Sequence, residues 1–345
     1  MSNEKNTRAI PATMKALELR AYDGRPDSLA LIEKPVPRPS RGEVLVRVGA
    51  APVNPSDLMF LRGLYGQKKE LPIVPGFDGS GEVVTVGGGL QARLMMGRRV
   101  ACAAPPGGDG TWAEYMTTSA GLCIPLRKQT SLEQGAMMIV NPMTAWALVS
   151  IARRGRHRAI VQTAAASALG QMIVRLAARR NIPLVNIVRR REQVEILERL
   201  GARHVLDSSE PDFAKRLREV CRELKATIAF DAVAGEMTLH LMGAMPKGSR
   251  VVVYGALSEG ACLVHPGALI FEAKLLEGFW LSQWLPSRGL FSKFIISSKV
   301  QKLLAGDLRT EIRARLPLEK AAEGLEQYKS QMTGGKVLLV PGEVS

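Results

Sequence analysis

A strand, a turn of small residues and an amphipathic helix follow one another between residues 159 and 177. The apolar run Ala-Ile-Val at residues 159–161 leads into a turn that is almost entirely alanine and serine. Beyond the turn, apolar side chains recur at the spacing of one buried helix face, at Leu169, Met172, Ile173, Leu176 and Ala177. Strand, tight turn and helix in this order form the repeating unit of parallel sheets, so we expect an α/β fold.

The turn has the chemistry of a phosphate-binding loop. Backbone N–H groups at a helix N-terminus attract anions, and small side chains let a pyrophosphate approach them closely. Gly170 is the only glycine in the turn, where the dinucleotide-binding fingerprint has three. The residues that we assign to the pyrophosphate are Ala165, Ala166, Ser167, Ala168, Leu169 and Gly170. Taken alone, the turn also fits an alanine-rich helix start that binds nothing.

Three arginines follow the next strand. Residues 184–188 (Leu-Val-Asn-Ile-Val) are predicted to form that strand, and Arg189, Arg190 and Arg191 come directly after it. An NAD site usually carries Asp or Glu at this place, to bind the ribose 2′-hydroxyl. Arginine instead offers a planar fork of donors that suits a phosphate. The sequence therefore predicts NADPH as the cofactor, with a solvated basic helix start as the alternative.

Strand spacing divides the chain into two kinds of region. Short strands and Gly/Pro turns between residues 14 and 134 indicate a β-rich, barrel-like domain. From residue 141 strands alternate with helices, which indicates a doubly wound parallel sheet, and the strand at 336–340 is expected to return to the first domain. The predicted divisions are a flexible N-terminus (1–13), the β-rich domain (14–137), the dinucleotide-binding domain (138–290) and the return (291–345).

Composition and charge limit the classes of partner. The 345 residues are 46% hydrophobic and 23% charged, as in soluble globular proteins. The uncharged run at 134–152 contains Asn-Pro at its middle and is interpreted as a loop and a buried helix, not as a membrane span. No apolar stretch typical of a signal peptide is seen near the start, so we expect a cytoplasmic protein. Four scattered cysteines lack the spacing of a disulfide framework or a structural zinc site.

The formal net charge of +15 favours anionic ligands. Phosphorylated cofactors, CoA esters, an acidic carrier protein and nucleic acid all fit that sign. No aromatic residues alternate with the arginine clusters at 153–158, 179–180 and 189–191, which argues against a stacking platform for nucleic acid. We interpret this net charge mainly as a source of solubility and of attraction for small anions.

Several segments together resemble a known superfamily. They are residues 53–57, 74–81, 110–115, 200–202 and 334–337, and they are similar to zinc-free members of the medium-chain dehydrogenases/reductases. Two groups of that superfamily are similar to this chain, the NADPH:quinone reductases and the mitochondrial-type 2-enoyl thioester reductases. Residues 62–66, 140–145 and 278–284 resemble the second group more closely. The resemblance implies a GroES-like β-rich catalytic domain combined with a Rossmann-type doubly wound parallel sheet.

The resemblance also implies that the chain has no catalytic metal. Zinc alcohol dehydrogenases have a cysteine where this chain has Asn54, and a His-Glu pair where it has Phe77 and Asp78. A catalytic zinc needs three protein ligands and an open position. Reduction of a quinone or an activated double bond is then the expected chemistry, since a conjugated carbonyl itself accepts hydride.

Site residues follow from the same resemblance. Tyr65 matches the tyrosine that donates a proton or a hydrogen bond in the enoyl reductases, although Leu64 stands where they often have a polar residue. Asn54 and Asn141 are expected to line the nicotinamide pocket and Thr144 to contact the nicotinamide amide. The remaining assignments are Tyr254 and Gly255 to the cofactor, and Phe279, Trp280 and Trp284 to an acyl pocket, a subunit interface or ordinary core packing.

Three functions stay open at this point. The first is NADPH-dependent reduction of the C=C bond of α,β-unsaturated carbonyl compounds, above all 2-enoyl thioesters, with an acidic acyl carrier protein as a partner. The second is an NADPH:quinone oxidoreductase. The third, of another class, is an NADPH-binding protein that binds RNA or a partner with little catalysis. A homodimer is expected from the resemblance, through the edge strand near residues 278–284.

Overall fold

The computed structural model describes residues 9–342, which fall into two compact units. The first unit runs to Val140 and resumes at Thr310, and the second is Asn141–Arg309. Residues 1–8, most of the N-terminal segment predicted to be flexible, lie outside the described residues. No helix within residues 9–342 has the length and hydropathy needed to cross a membrane.

Both units are built on β-sheets. In chain order the strands are β1 (Thr13–Leu19), β2 (Leu29–Pro35), β3 (Glu43–Pro52), β4 (Asp78–Val86), β5 (Arg99–Ala103), β6 (Tyr115–Ser119), β7 (Cys123–Pro125), β8 (Ala159–Gln162), β9 (Leu184–Val188), β10 (His204–Asp207), β11 (Ala226–Asp231), β12 (Arg250–Val253), β13 (Leu275–Gly278), β14 (Ile312–Leu316) and β15 (Lys336–Leu339).

The α-helices in chain order are α1 (Pro55–Leu61), α2 (Leu90–Met95), α3 (Leu132–Ala136), α4 (Val140–Arg154), α5 (Ala168–Arg179), α6 (Arg191–Arg199), α7 (Phe213–Glu223), α8 (Glu236–Ala244), α9 (Pro266–Ile270), α10 (Leu281–Trp284), α11 (Leu290–Leu303) and α12 (Ala321–Ser330). The run at 134–152 forms the end of α3 and most of α4, as predicted. Asn141 and Pro142 lie in the first turn of α4, where proline is tolerated.

The first unit is a β-rich domain closed by the C-terminal segment. Its seven-stranded sheet has the order β14-β15-β3-β4-β5-β7, with β6 also paired to β3, and β1 and β2 form a separate antiparallel pair. The tail belongs to this unit, because β15 pairs antiparallel with β3 at Leu338–Pro52 and Leu339–Ala51. Alternating side chains of these strands bury an apolar core around Trp112, which is fully buried.

The second unit is a parallel sheet with the strand order β10-β9-β8-β11-β12-β13. This order is that of the doubly wound folds, and the direction of winding reverses between β8 and β11. Every residue of β8 and β9 is buried, as expected for strands covered on both faces. The predicted apolar face of α5 is buried against the sheet, including Met172 and Leu176 at 0% exposure. The predicted α/β fold class is confirmed.

The chain leaves the second unit later than residue 291, where the sequence placed the return. Residues up to Arg309 belong to the second unit, and the first boundary lies at 140/141 instead of 137/138. Contacts of α11 explain the difference. Val300 is fully buried, Lys299 lies 5.9 Å from the ring centroid of Trp146 on α4, and Asp307 forms an ion pair with Arg179 at the end of α5.

Candidate active site

The turn before α5 has the close backbone packing that a phosphate loop requires. Ser167 is the N-cap residue of α5, and its hydroxyl oxygen accepts a hydrogen bond from the Gly170 N–H at 3.1 Å. A Cβ atom on Gly170 would lie 2.4 Å from the Ala165 carbonyl oxygen, so only glycine fits there. Ala164 takes a φ of 48°, in the left-handed region that favours glycine. The small residues therefore make a tight turn that opens onto a helix N-terminus.

The three arginines are exposed to solvent at the start of α6. Arg190 is the N-cap residue of this helix, and Arg189, Arg190 and Arg191 are all exposed. The backbone N–H of Arg189 donates to Gln193 Oε1 at 3.1 Å, which fixes the start of the segment. Within residues 9–342 none of the three guanidinium groups forms an ion pair. Their charges are thus available to an anionic ligand.

A cavity of about 580 Å³ lies within the second unit at the carboxyl ends of β10, β11 and β12. Ligands of doubly wound sheets bind in the crevice at this edge. The Ser208 N–H donates to the Val188 carbonyl oxygen at 2.7 Å, so one wall of the cavity adjoins the residue that precedes Arg189. The lining residues are Ser208, Phe213, Val233, Ala234, Gly235, Glu236, Met237, His240, Ser258, Gly260, Ala261 and Leu263.

Sequence reasoning missed this cavity. The small residues after β11 and β12, such as Gly235 and Gly260, were its only visible signal, and such residues also occur in ordinary turns. The wall after β11 is held by Asp231, whose carboxylate accepts from the hydroxyls of Thr163 at 2.9 Å and Thr238 at 2.8 Å and from the Val233 N–H at 2.9 Å.

Tyr254 and Gly255 follow β12 beside that wall. The Tyr254 N–H donates to the Asp231 carbonyl oxygen at 2.9 Å, and a Cβ on Gly255 would lie 2.8 Å from the Ala232 carbonyl oxygen. The Tyr254 hydroxyl is buried and has no hydrogen-bond partner among the described residues. Burial, and secondly the charge of Asp231, raise the pKa of this hydroxyl well above its usual range, so it stays protonated.

Asn54 lies at the start of α1, in a buried cluster of charged side chains. Its backbone N–H donates to Asp57 Oδ2 at 2.7 Å, and its side-chain Nδ2 donates to Asp78 Oδ1 at 3.0 Å. Lys336, from the first position of β15, donates from Nζ to Asn54 Oδ1 at 2.6 Å. All four residues are at most 2% exposed. Desolvation raises the pKa of Asp57 to about 7 and that of Asp78 to about 6.

Tyr65 lies on the loop after α1 and is half-buried, so it is not the free exposed aromatic that a lone loop tyrosine often is. Its ring centroid is 4.5 Å from that of Phe77, which in turn packs edge-on against Phe60 at 5.5 Å. The Phe77 N–H donates to Asp57 Oδ1 at 3.2 Å. Because Phe77 precedes Asp78, the fold brings Tyr65 and the buried cluster of Asn54 to adjoining parts of the first unit.

The remaining predicted residues lie in the second unit. Asn141 and Thr144 are one turn apart on α4 and are 8% and 7% exposed. Phe279, Trp280 and Trp284 follow the edge strand β13 and are all half-buried, so complete core packing does not describe them. The rings of Phe279 and Trp284 are 6.0 Å apart, and the guanidinium of Arg288 lies 4.6 Å from the Trp284 ring.

Comparison with known proteins identifies the family. Residues 40–128 match the alcohol dehydrogenase GroES-like domain, and residues 168–295 match the zinc-binding dehydrogenase family. The mitochondrial enoyl-[acyl-carrier-protein] reductase of Bos taurus is 30% identical over 305 residues, which cover 86% of this chain and 80% of the bovine protein. The chain belongs to the medium-chain dehydrogenase/reductase superfamily.

Solved structures of this superfamily share the fold over nearly the whole chain. A Mesorhizobium loti protein provisionally named an NADPH:quinone reductase is 36% identical, with a TM-score of 0.91 over 97% of this chain and 100% of that one. A mycobacterial protein solved in complex with NADPH is 24% identical, with a TM-score of 0.82 over 95% of this chain and 100% of its own. This medium-chain dehydrogenase/reductase is an oxidoreductase that uses a nicotinamide dinucleotide.

The His, Cys, Asp and Glu side chains of this superfamily member are the ones that could hold a metal ion if several were grouped together. In the part of the chain that the structure describes, no three or more His, Cys, Asp or Glu residues are grouped so that they could hold a metal ion. The four cysteines are free thiols, and Cys102 and Cys123 face each other across β5 and β7. Burial raises the pKa of Cys123 to about 12, which keeps that thiol protonated and unreactive.

Proposed function

We propose that this protein reduces the C=C bond of 2-enoyl thioesters with NADPH and without zinc. The observation that carries the proposal is the joint geometry of the α5 turn, the unpaired arginines and the adjoining cavity in the second unit. The bovine relative, an enoyl-[acyl-carrier-protein] reductase, supports the substrate class.

The residues present fit NADPH at three places. The backbone N–H groups of Ala168 and Leu169, at the N-terminus of α5, suit the pyrophosphate, since the Gly170 site has no room for a side chain that would block its approach. The cavity beside Ser208 suits the adenosine end, and Arg189 and Arg190 next to it suit a 2′-phosphate. When bound, NADPH supplies the hydride for the β-carbon of the substrate.

The first unit supplies the other half of the reaction in this proposal. Charge develops on the thioester carbonyl oxygen as the double bond is reduced, and a donor held in place beforehand stabilises it. Tyr65 donates the hydrogen bond or the proton for the α-carbon, and its packing on Phe77 limits the motion of the ring. In the first unit, the resemblance assigns Asn54 to the nicotinamide. In the second unit, it assigns Asn141 to the nicotinamide, Thr144 to the nicotinamide amide, and Phe279, Trp280 and Trp284 to the acyl chain.

Quinone reduction is the second candidate. The observation in its favour is the Mesorhizobium loti structure, whose 36% identity exceeds the 30% identity of the bovine enoyl reductase. The hydride chemistry is the same, and the two activities differ in whether the pocket must hold an acyl chain and donate to a thioester oxygen.

One assay separates the two candidates. Oxidation of NADPH is followed with trans-2-hexenoyl-CoA and, in parallel, with 1,4-benzoquinone, on the wild type and on Tyr65→Phe. We expect turnover of the thioester and a selective loss of that rate in Tyr65→Phe. Tyr22, whose ring centroid lies 5.4 Å from that of Phe60, provides the control, and Tyr22→Phe should keep the rate. If only the quinone is reduced and Tyr65→Phe is indifferent, the protein is a quinone reductase and Tyr65 is an ordinary loop residue.

A homodimer formed through β13 belongs to the same proposal. This strand pairs only with β12 and leaves its outer edge unpaired among the described residues. Apolar side chains around it are exposed, with Phe271 at 77%, Ile270 at 69% and Leu275 at 54%. Edge strands of this kind are templates for pairing with another chain. Light scattering should give twice the 37.4 kDa chain mass, and Phe271→Asp should shift the population to the monomer.

A further inference from the structure

Lys336 is a buried cation whose contacts lie within the first unit. Its side chain is 1% exposed, and Nζ donates to the Val53 carbonyl oxygen at 2.9 Å, to Asn54 Oδ1 at 2.6 Å and to the Tyr328 hydroxyl at 3.1 Å. An ammonium group has three donors and no acceptor, so this geometry uses all of them. None of these contacts is a direct ion pair with a carboxylate.

The charge of the Lys336 ammonium lowers the pKa of two carboxylates that hydrogen-bond to Asn54, those of Asp57 and Asp78. Burial is the largest influence on both Asp57 and Asp78 and raises the pKa of each, whereas the charge of Lys336 lowers both. Tyr328 on α12 and Cys102 on β5 are the other titratable groups facing the cluster. Removing the ammonium would leave two acidic groups buried without a cation, which is costly in a region that excludes water.

The same contacts settle which way the Asn54 amide points. Lys336 Nζ can only donate and therefore meets the amide oxygen, while Asp78 Oδ1 accepts from the amide nitrogen. If the amide turned over, its NH₂ group would face an ammonium and its oxygen would face a carboxylate. The cation on one side and the acid on the other thus hold a single amide orientation.

We propose that Lys336 is a positioning residue for Asn54. It fixes the amide of a residue 282 positions away in the chain and balances the acids that hold the other end of that amide. The effect on catalysis rests on the proposed function, in which Asn54 lines the nicotinamide pocket. The effect on the amide itself does not depend on it.

The test compares Lys336→Met with Lys274→Met. Lys274 is the control, since it is also buried, at 4% exposure. Its Nζ donates to the Met242 carbonyl oxygen in the second unit and forms an ion pair with Glu272. In Lys336→Met we expect the ¹⁵N–¹H resonances of the Asn54 side-chain amide to move and kcat with trans-2-hexenoyl-CoA to fall roughly tenfold or more through misplacement of that amide. Lys274→Met should leave both unchanged apart from a lower melting temperature.

A second variant separates positioning from charge balance. Lys336→Met/Asp78→Asn removes one charge of each sign, so we expect it to regain melting temperature at pH 8 without regaining kcat, because nothing then orients the amide. If Lys336→Met alone does not fold, the double variant still allows the role of Lys336 in orienting the amide to be tested. Lys336→Arg keeps the charge and the donors and should retain more kcat than Lys336→Met.

The proposal is overturned if the double variant regains kcat together with stability, or if the Asn54 amide resonances of Lys336→Met match the wild type. Failure of the proposed function looks different. In that case the wild type does not turn over the thioester at all, while the amide resonances still move in Lys336→Met.

Discussion

The buried cluster around Asn54 in the first unit and the arginine segment 189–191 in the second unit handle charge in opposite ways. The first unit encloses Lys336, Asp57 and Asp78 in its core, where each depends on fixed hydrogen bonds. The second presents Arg189, Arg190 and Arg191 to solvent with no ion pair among the described residues. Buried charges hold neighbouring groups in place and are sensitive to pH, whereas exposed charges attract ligands and are sensitive to salt. In this comparison, the buried cluster orients the Asn54 side chain, and the exposed arginines are available to bind an anionic ligand.

Titration of the buried acids should give the largest effect. The folded-state pKa of Asp57 is raised from 3.8 to about 7, above its unfolded value, so the folded state binds the proton more tightly. Its contribution to stability is therefore highest below pH 4 and is lost as pH rises towards 7, by roughly 2–4 kcal/mol. Urea unfolding at pH 5 and pH 8 measures this loss, and Asp57→Asn should reduce it. Equal losses in wild type and variant would contradict the raised pKa.

Removal of one arginine should act on the cofactor and not on the fold. We expect Arg190→Ala to weaken NADPH binding by about 10–100-fold, the value of a charge-assisted hydrogen bond to phosphate, and to leave NADH binding almost unchanged. Fluorescence titration with both dinucleotides measures this. Arg199→Ala, at the other end of α6, is the matched control. Equal effects of Arg190→Ala on both dinucleotides would refute the 2′-phosphate assignment.

Alanine substitutions at two helical glycines of the second unit, Gly170 and Gly243, test whether the turn before α5 requires its close packing. A methyl group on Gly170 meets the Ala165 carbonyl oxygen at 2.4 Å, whereas one on Gly243 in α8 meets nothing within 4 Å. Gly170→Ala should therefore cost about 1–3 kcal/mol and weaken NADPH binding. Gly243→Ala should stabilise the protein by up to about 1 kcal/mol, since alanine favours helix. Thermal unfolding of both variants checks the difference in sign.

A change of salt concentration should give the smallest effect. It distinguishes the exposed arginines from the buried acids without any mutation. Between 50 mM and 500 mM NaCl we expect NADPH binding to weaken by about three- to tenfold, because exposed arginines are screened. The midpoint of the pH-dependent stability change should hardly move, because the buried acids are shielded from solvent ions. If that midpoint follows salt as strongly as NADPH binding does, the acids are not isolated from solvent.

The sequence predicted the second unit better than the first. Strands such as β9 and β11 are mostly apolar runs, and α5 has a clear helical period, so local patterns were sufficient. The boundary at 309 was missed because α11 has no distinct apolar face from which its packing against Trp146 could be foreseen. The buried cluster of Asn54 was missed for a different reason. Lys336 and Asp57 look like ordinary surface residues until the fold brings the two ends of the chain together.

The return of the tail sets an order of events during protein synthesis. All residues of the second unit have been translated once Arg309 is made, so that unit can fold while the ribosome is still working. The first unit lacks β15, and with it Lys336, until the ribosome has passed residue 336, after the whole second unit has been made. A nascent chain that stops short of residue 336 would therefore hold Asp57 and Asp78 without their cation.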